Sequence, residues 1–209
     1  MVSGFLIVQF SAMDQFQLPT LAPPGAGIPW FENFVLRYFY FPKKLKSTTW
    51  EKNLNRLQKE TQKILLICEG LTEQNFQTRK LIDRLRGMED SSRFWSPALT
   101  IEHLLITLKG MTHIATELAQ GKKPSIEVST ASVKPKQEDV TNKPIMLDKL
   151  KSLSENCFSQ LKTLQSNHSN QFRLEHPWFG PITSEGWVWV LAQHQALHRK
   201  QIQMIVAQL

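Results

Sequence analysis

Several things are scarce in this chain of 209 residues. It has two cysteines, Cys68 and Cys157, and no Cys-x-x-Cys pair. Two thiols cannot build a disulfide framework, so reduced cysteines and a cytoplasmic location are expected. No apolar run approaches the ~18 residues of a transmembrane span, so no transmembrane segment is expected. The first basic residue is Arg37, and the apolar opening MVSGFLIVQFSA therefore lacks the basic start of a secretory signal. Met13 stands as an alternative start. No run of alternating strands, no internal repeat and no zinc finger or other recognised nucleic-acid reader is present, so no nucleic-acid partner is expected.

What remains is ordinary globular composition. Hydrophobic residues make up 41% and charged residues 21%, which excludes wholesale disorder. A chain of this length buries roughly 70% of its unfolded surface and needs no disulfide or structural metal to fold. Lys plus Arg is 25 against 18 for Asp plus Glu, a net +7 that permits an anionic partner without requiring one.

Residues 14–29 are turn-rich, with Pro19, Pro23, Pro24 and Pro29. In residues 29–46, Trp30, Phe31, Phe34, Val35, Tyr38 and Phe39 recur at helical spacing and are followed by Pro42, Lys43, Lys44 and Lys46. The preferred reading is a short helix packing this aromatic stripe on the core or on a second copy in a homodimer. The alternative is an interfacial helix seated on anionic lipid.

Four longer helices follow. Thr48-Thr49-Trp50-Glu51 reads as a capping box with Thr48 as N-cap. The helix it starts aligns Trp50, Leu54, Leu57, Thr61, Ile64, Leu65 and Cys68, and Gly70 stops it. Residues 71–94 read as a polar connector, partly helical around 72–86. Ser96-Pro97 starts a second helix that runs to about Gln120, with Leu99, His103, Ile106 and Gly110 on one face. Residues 121–143 are polar and read as a long loop or flexible excursion.

A third helix begins near Pro144, with Met146, Leu150, Leu153, Cys157, Leu161 and Leu164 inward. A turn at 167–183 precedes a fourth helix, capped by Thr183 and running to about Gln208. The pattern predicts an all-α four-helix bundle over residues 47–209, with residues 1–46 as an N-terminal aromatic extension. Both cysteines fall on core stripes and read as small buried hydrophobes.

The fourth helix places His194 and His198 at i and i+4, beside Trp187, Val190, Leu191, Gln201 and Ile205. Two imidazoles on an inward face need partners whether charged or neutral. A divalent metal meets that need, and His103, inward on another helix, supplies a third nitrogen. Three imidazoles leave one position open, as catalytic metal sites do. His113 reads as peripheral, His168 as exposed, and His176 as tying its turn together.

The blocks FWSPALTIEHLL (94–105), HPWFGPIT (176–183) and HQALHRKQI (194–202) resemble the DinB-like superfamily in residue types, order and separation. The resemblance covers roughly residues 48–208. It implies an up-down-down-up bundle and a divalent metal held by His103, His194 and His198; by ligand type, imidazoles and an open position suit Zn, Ni or Fe. It also implies a small-molecule substrate, with a thiol S-transferase using a low-molecular-weight thiol as the leading activity.

A metal-dependent hydrolase uses the same ligands and stays open, as does a non-catalytic module binding a partner or a membrane surface through residues 29–46. No general base is evident, because Glu102 falls on a different helix face from His103. Gln201 and Trp187 are candidates to line the pocket. Trp95 and Trp178 stand near helix starts, where anionic groups are favoured.

Overall fold

The structure, a computed structural model, describes residues 19–136 and 142–209. The opening apolar stretch and Met13 lie outside the described residues. The chain enters through α1 (Trp30–Val35), a π-helical turn (Leu36–Tyr40) and α2 (Phe41–Lys46), which together make one bent rod. Then come α3 (Trp50–Glu69) and α4 (Glu73–Gln77). Strand β1 (Lys80–Leu81) pairs antiparallel with β2 (Phe94–Trp95), which leads into α5 (Pro97–Ala119). After α6 (Lys143–Thr163), the hairpin of β3 (Leu174–His176) and β4 (Gly180–Ile182) delivers the chain to α7 (Ser184–Val206).

The helix starts are chemically marked. The Ser96 hydroxyl accepts from the Leu99 N–H at 3.1 Å, and Pro97 follows at the first helical position, where a missing N–H costs nothing. Asn142 caps α6 through the Ile145 N–H at 3.1 Å. At α3 the N-cap is Thr49, which accepts from the Lys52 N–H at 3.2 Å. It is not Thr48, whose hydroxyl instead donates to Asn53 Oδ1 at 3.0 Å. Thr183 occupies the N-cap of α7, but its side chain makes no capping bond. The 71–94 connector is α-helical only over Glu73–Gln77, with one 3-10 turn at Asp90–Ser92; the short ladder to β2 claims Lys80 and Leu81.

Helix directions follow from contacts between helix ends. Lys143 Nζ reaches the Glu69 carbonyl at 3.0 Å, and the Trp50 indole N–H donates to the Leu161 carbonyl at 3.0 Å, so α3 and α6 run antiparallel. Gln160 Nε2 donates to Thr116 Oγ1 at 3.1 Å while Cys157 packs at Leu108, so α5 and α6 run parallel. The Ser169 N–H donates to the Ala119 carbonyl at 2.7 Å and Ser184 Oγ donates to the Ser169 carbonyl at 2.9 Å, placing the start of α7 at the end of α5. The order is up, down, down, up, each helix packing on two others: α3 against α6 and α7, α5 against α6 and α7.

The parallel α5–α6 pair explains the long 121–143 segment. A 23-residue helix is ~34 Å long, so the chain must travel that distance before it can start α6 in the same direction.

The core is built from the stripes: Leu54, Leu57, Ile64, Leu104, Leu150, Leu161, Trp187 and Ile202 are nearly or fully buried. Both cysteines are buried and unpaired, and burial pushes the Cys68 thiol up to about 12. His168 is not exposed as expected. Its ring stacks on Trp50 at 4.6 Å and bonds Glu185 Oε1 at 2.8 Å, because the start of α3 and the start of α7 meet there. His113 is exposed beside Glu117, as expected of a peripheral residue.

The aromatic stripe does not pack on the core of its own chain. Trp30 is 80% exposed, and Phe31, Tyr38 and Phe39 are each about 60% exposed. Phe41, outside the stripe, is the buried residue of the rod, stacked on Phe179 and edge-on to Trp189. Glu32 also ties the rod down, bonding Arg84 Nη2 at 2.5 Å and Nη1 at 3.2 Å. Across the β3–β4 turn, Gly180 (φ +75°) leaves room for the Arg37 guanidinium, which a Cβ there would strike.

Leu57→Ala removes a side chain that is 1% exposed and should lower unfolding stability by ~2–5 kcal/mol. Leu66→Ala, on the same helix but 69% exposed, should change it by less than ~0.5 kcal/mol. Urea denaturation of both variants checks the inward stripe.

Candidate metal centre

Helix α5 is aliphatic around His103, and α7 carries His194 and His198 on the stripe that faces it. Because α5 and α7 run antiparallel and in contact, the seventh residue of α5 lies opposite the middle of α7. The three rings meet there. His103 Nε2 lies 3.2 Å from His194 Nε2, and His198 Nε2 lies 3.1 Å from the same atom. The three potential ligand atoms all fall within 4.8 Å of one another. Nitrogens bound tetrahedrally at ~2.0–2.1 Å from one zinc ion stand ~3.3 Å apart, so this spacing fits a shared ion.

The surroundings set the tautomers. His103 Nδ1 donates to the Val133 carbonyl at 2.7 Å, which accepts only. Gln201 Nε2 donates to the Ser92 carbonyl at 2.7 Å, and this turns its Oε1 toward His198 Nδ1 at 2.6 Å. Both rings therefore carry their proton on Nδ1 and aim an Nε2 lone pair at the common point. His194 can offer at most one Nε2 proton, which cannot satisfy both neighbours. A cation satisfies all three, and outer hydrogen bonds of this kind are what orient histidine ligands.

Electrostatics agree. Burial, followed by the neighbouring His198, holds His103 well below the ordinary histidine range. Burial and then the charges of His198 and His103 do the same to His194, whose partial exposure is to the cavities beside it. Burial pushes His198 down to about 4 against the opposing Gln201 hydrogen bond. All three rings are neutral at pH 7, the form that ligates.

Trp95 closes one side, 5.2 Å from the His103 ring and nearly parallel to His198 at 6.2 Å. It seals the cluster and is 6% exposed; it does not stand open to an anion at a helix start. On the other side lies a cavity of about 150 Å³ with Ile106, Met111, Ile114 and Val128 in its wall. Trp187 and Trp178 line it, as does His176, whose Nδ1 accepts from the Trp178 N–H at 3.2 Å and so ties the turn.

Gln201 is not part of that wall; it stands behind His198. Glu102 is buried, off the histidine face, and accepts from the Lys136 N–H at 2.8 Å, which pins the excursion.

The excursion itself is the main feature that the residue pattern concealed. It is not a free loop; it forms part of the cavity wall and supplies the Val133 carbonyl. Glu89 anchors it, bonded to Lys134 Nζ and Thr130 Oγ1, each at 2.8 Å. Burial alone would raise the Glu89 carboxyl, but these hydrogen bonds and the Lys134 charge outweigh it and hold the group below the usual range. A backbone carbonyl leaves no trace in sequence. The Gln201 contact could have been read, since residue 201 lies one turn after His198 on the same face.

An up-down-down-up four-helix bundle with imidazoles from its second and fourth helices converging at one point defines the DinB-like class. The chain belongs to the DinB family, whose model matches residues 44–209. No curated protein matches it in sequence.

Among solved structures it is similar to the mycothiol-dependent maleylpyruvate isomerase, at 12% identity and TM-score 0.53. That likeness covers 77% of this chain and spans 63% of the isomerase. It is similar to the colibactin self-resistance protein ClbS in complex with a dsDNA, at 16% identity and TM-score 0.51, covering 75% of this chain and 93% of that one. TT2238, a four-helix bundle protein, matches at 18% identity and TM-score 0.47 over 74% of this chain and 98% of that one. At these identities the likeness is one of fold. No helix among the described residues is long and apolar enough to cross a membrane.

Burial also pushes His176 down to about 3, from an ordinary 6.5. In the unfolded chain the same histidines take up protons near 6.5, so below that pH unfolding binds protons and the fold loses stability. Chelator-treated protein should therefore lose stability steadily as pH falls from 6.5 toward 4, and His176→Phe should flatten the slope. Urea denaturation across that pH series checks both.

Proposed function

We propose that this DinB-family protein is a divalent-metal-dependent enzyme acting on a small molecule, with S-transfer from a low-molecular-weight thiol as its reaction. The observation that carries the reading is the convergence of the Nε2 atoms of His103, His194 and His198, two of them with tautomers set by Val133 and Gln201. A divalent ion held by these three nitrogens would supply Lewis acidity, which favours the thiolate of a thiol beside it or lowers the pKa of a water there. Zn, Ni and Fe all accept imidazole ligands.

The chain's own residues favour the thiol over water. Ile106, Met111, Ile114 and Val128 make an apolar wall that suits the organic body of a thiol. Trp95 screens the back of the histidine cluster from solvent. No carboxylate joins the three histidines in the cluster among the described residues. The fold likeness to a mycothiol-dependent enzyme makes mycothiol, bacillithiol and glutathione the thiols to try first.

Untagged protein should contain close to one equivalent of Zn, Ni or Fe by elemental analysis, and His103→Ala and His198→Ala should each lose most of it. Metal below about a tenth of an equivalent in the unmodified protein, unchanged by those substitutions, would sink the proposal. Gln201→Ala leaves the ligands in place but frees His198 to turn, and should weaken metal affinity ~10–100-fold in a chelator competition.

A second reading concerns attachment. Trp30, Phe31, Tyr38 and Phe39 stand exposed on a rod anchored by Glu32 and Phe41, and Lys43, Lys44 and Lys46 follow them. Aromatic rings beside lysines fit the headgroup zone of an anionic bilayer. The protein should float with phosphatidylserine vesicles, and the triple variant Trp30→Ser, Phe31→Ser, Phe39→Ser should not. Equal flotation of the two proteins would remove the lipid reading.

A further inference from the structure

The cavity beside the histidines adjoins a second one of about 240 Å³, between α7 and the π-helical turn of the rod. Gly87, His176, Trp178, His194 and Leu197 line both. Neither cavity alone reaches the ~300 Å³ at which small-molecule sites usually begin, but the two joined exceed it. A single ligand spanning both is therefore the simplest occupant, with His194 and His176 at its waist.

The second cavity has its own chemistry. Arg56 from α3, Arg86 from the connector, and Arg199 and Lys200 from α7 line it, and no carboxylate does. Arg199 is committed to Glu60 and Gln203. Arg56, Arg86 and Lys200 are exposed and make no hydrogen bond or ion pair with any described residue. Glu32, whose carboxyl feels the Arg86 charge, is already held by Arg84 and the Gly87 N–H. Three cations from three separate elements thus converge on one concavity with their charge unspent.

Its opposite wall is aromatic. Tyr40 packs edge-on to Trp189 at 6.2 Å, and Phe179 packs edge-on to Trp189 at 5.5 Å.

We infer that the two cavities together hold one organic anion. Its flat apolar body lies against Tyr40, Phe179 and Trp189, and its carboxylate or phosphate lies among Arg56, Arg86 and Lys200. Its other end reaches the histidine cluster through His194, which lines both cavities. This names the substrate class of the site proposed above and rests on that proposal for the chemistry done there. It rests on the cavities alone for binding.

Titration calorimetry with 2-naphthoate, 2-naphthyl phosphate and uncharged 2-naphthamide tests it, on metal-loaded and on chelator-stripped protein. At least one anion should bind about tenfold or more tightly than the amide, and which one does tells carboxylate from phosphate. The double variant Arg86→Ser, Lys200→Ser should erase that preference with melting temperature and metal content unchanged. Raising salt from about 50 to about 500 mM should weaken the anions and leave the amide alone. Equal binding of amide and anions, or a full preference surviving in the double variant, would overturn the inference. Stripped protein that still prefers an anion upholds the inference even if the metal proposal fails. Metal-replete protein that is indifferent to charge sinks the inference and leaves the metal proposal standing.

Discussion

The structure turns on three neutral imidazoles held in a low-dielectric interior with their lone pairs facing one another. Burial removes the option of protonation, because three positive rings within 4.8 Å would be prohibitive away from water. Hydrogen bonds from the outer nitrogens of His103 and His198 remove the option of turning away. The arrangement leaves polar atoms that a cation would satisfy and that the rings cannot satisfy for one another. The cysteines show the contrast: each is buried and unpaired, and burial pushes its thiol up, so both stay protonated.

The order of helices serves this arrangement. Two consecutive parallel helices, α5 and α6, require a crossover that runs the length of the bundle, and antiparallel neighbours would have needed only a short turn. That crossover brings Val133 onto His103 and Lys134 onto Glu89. Glu89 also accepts from the backbone N–H groups of Gly25 and Gly27, so one carboxylate gathers the leader, the connector and the crossover around the cavity. A topological necessity has become part of the site.

How much of this was legible beforehand depended on the range of the interaction. The helices at 96–120, 144–164 and 183–208, their core stripes and the Ser96-Pro97 start were readable, since period, cap and stop signals act within a few residues. The three histidines could be paired across helices because α5 and α7 each presented them on an apolar face. The misreadings arose where a side chain found a partner that no periodicity or end signal encodes. Thr48 lost the cap to its neighbour once Asn53 engaged its hydroxyl. His168 sits in a polar stretch but is stacked on Trp50, 118 residues earlier, because the start of α3 and the start of α7 meet there. The aromatic stripe of 29–46 has the spacing of a core face yet is exposed, because the rod docks through Phe41 and Glu32 instead.

By itself, then, the sequence determined an all-α bundle, the approximate span of its helices, and which three imidazoles were candidates to meet. Those are consequences of 3.6-residue periodicity and of end signals, which are local. Only the tertiary structure decided that the rings do converge, which nitrogen of His103 and His198 bears the proton, that residues 126–130 and 132–134 wall the cavity, and that Arg56, Arg86 and Lys200 share a second one. Each of those depends on groups far apart in the chain, including backbone carbonyls that every residue possesses and no pattern can single out.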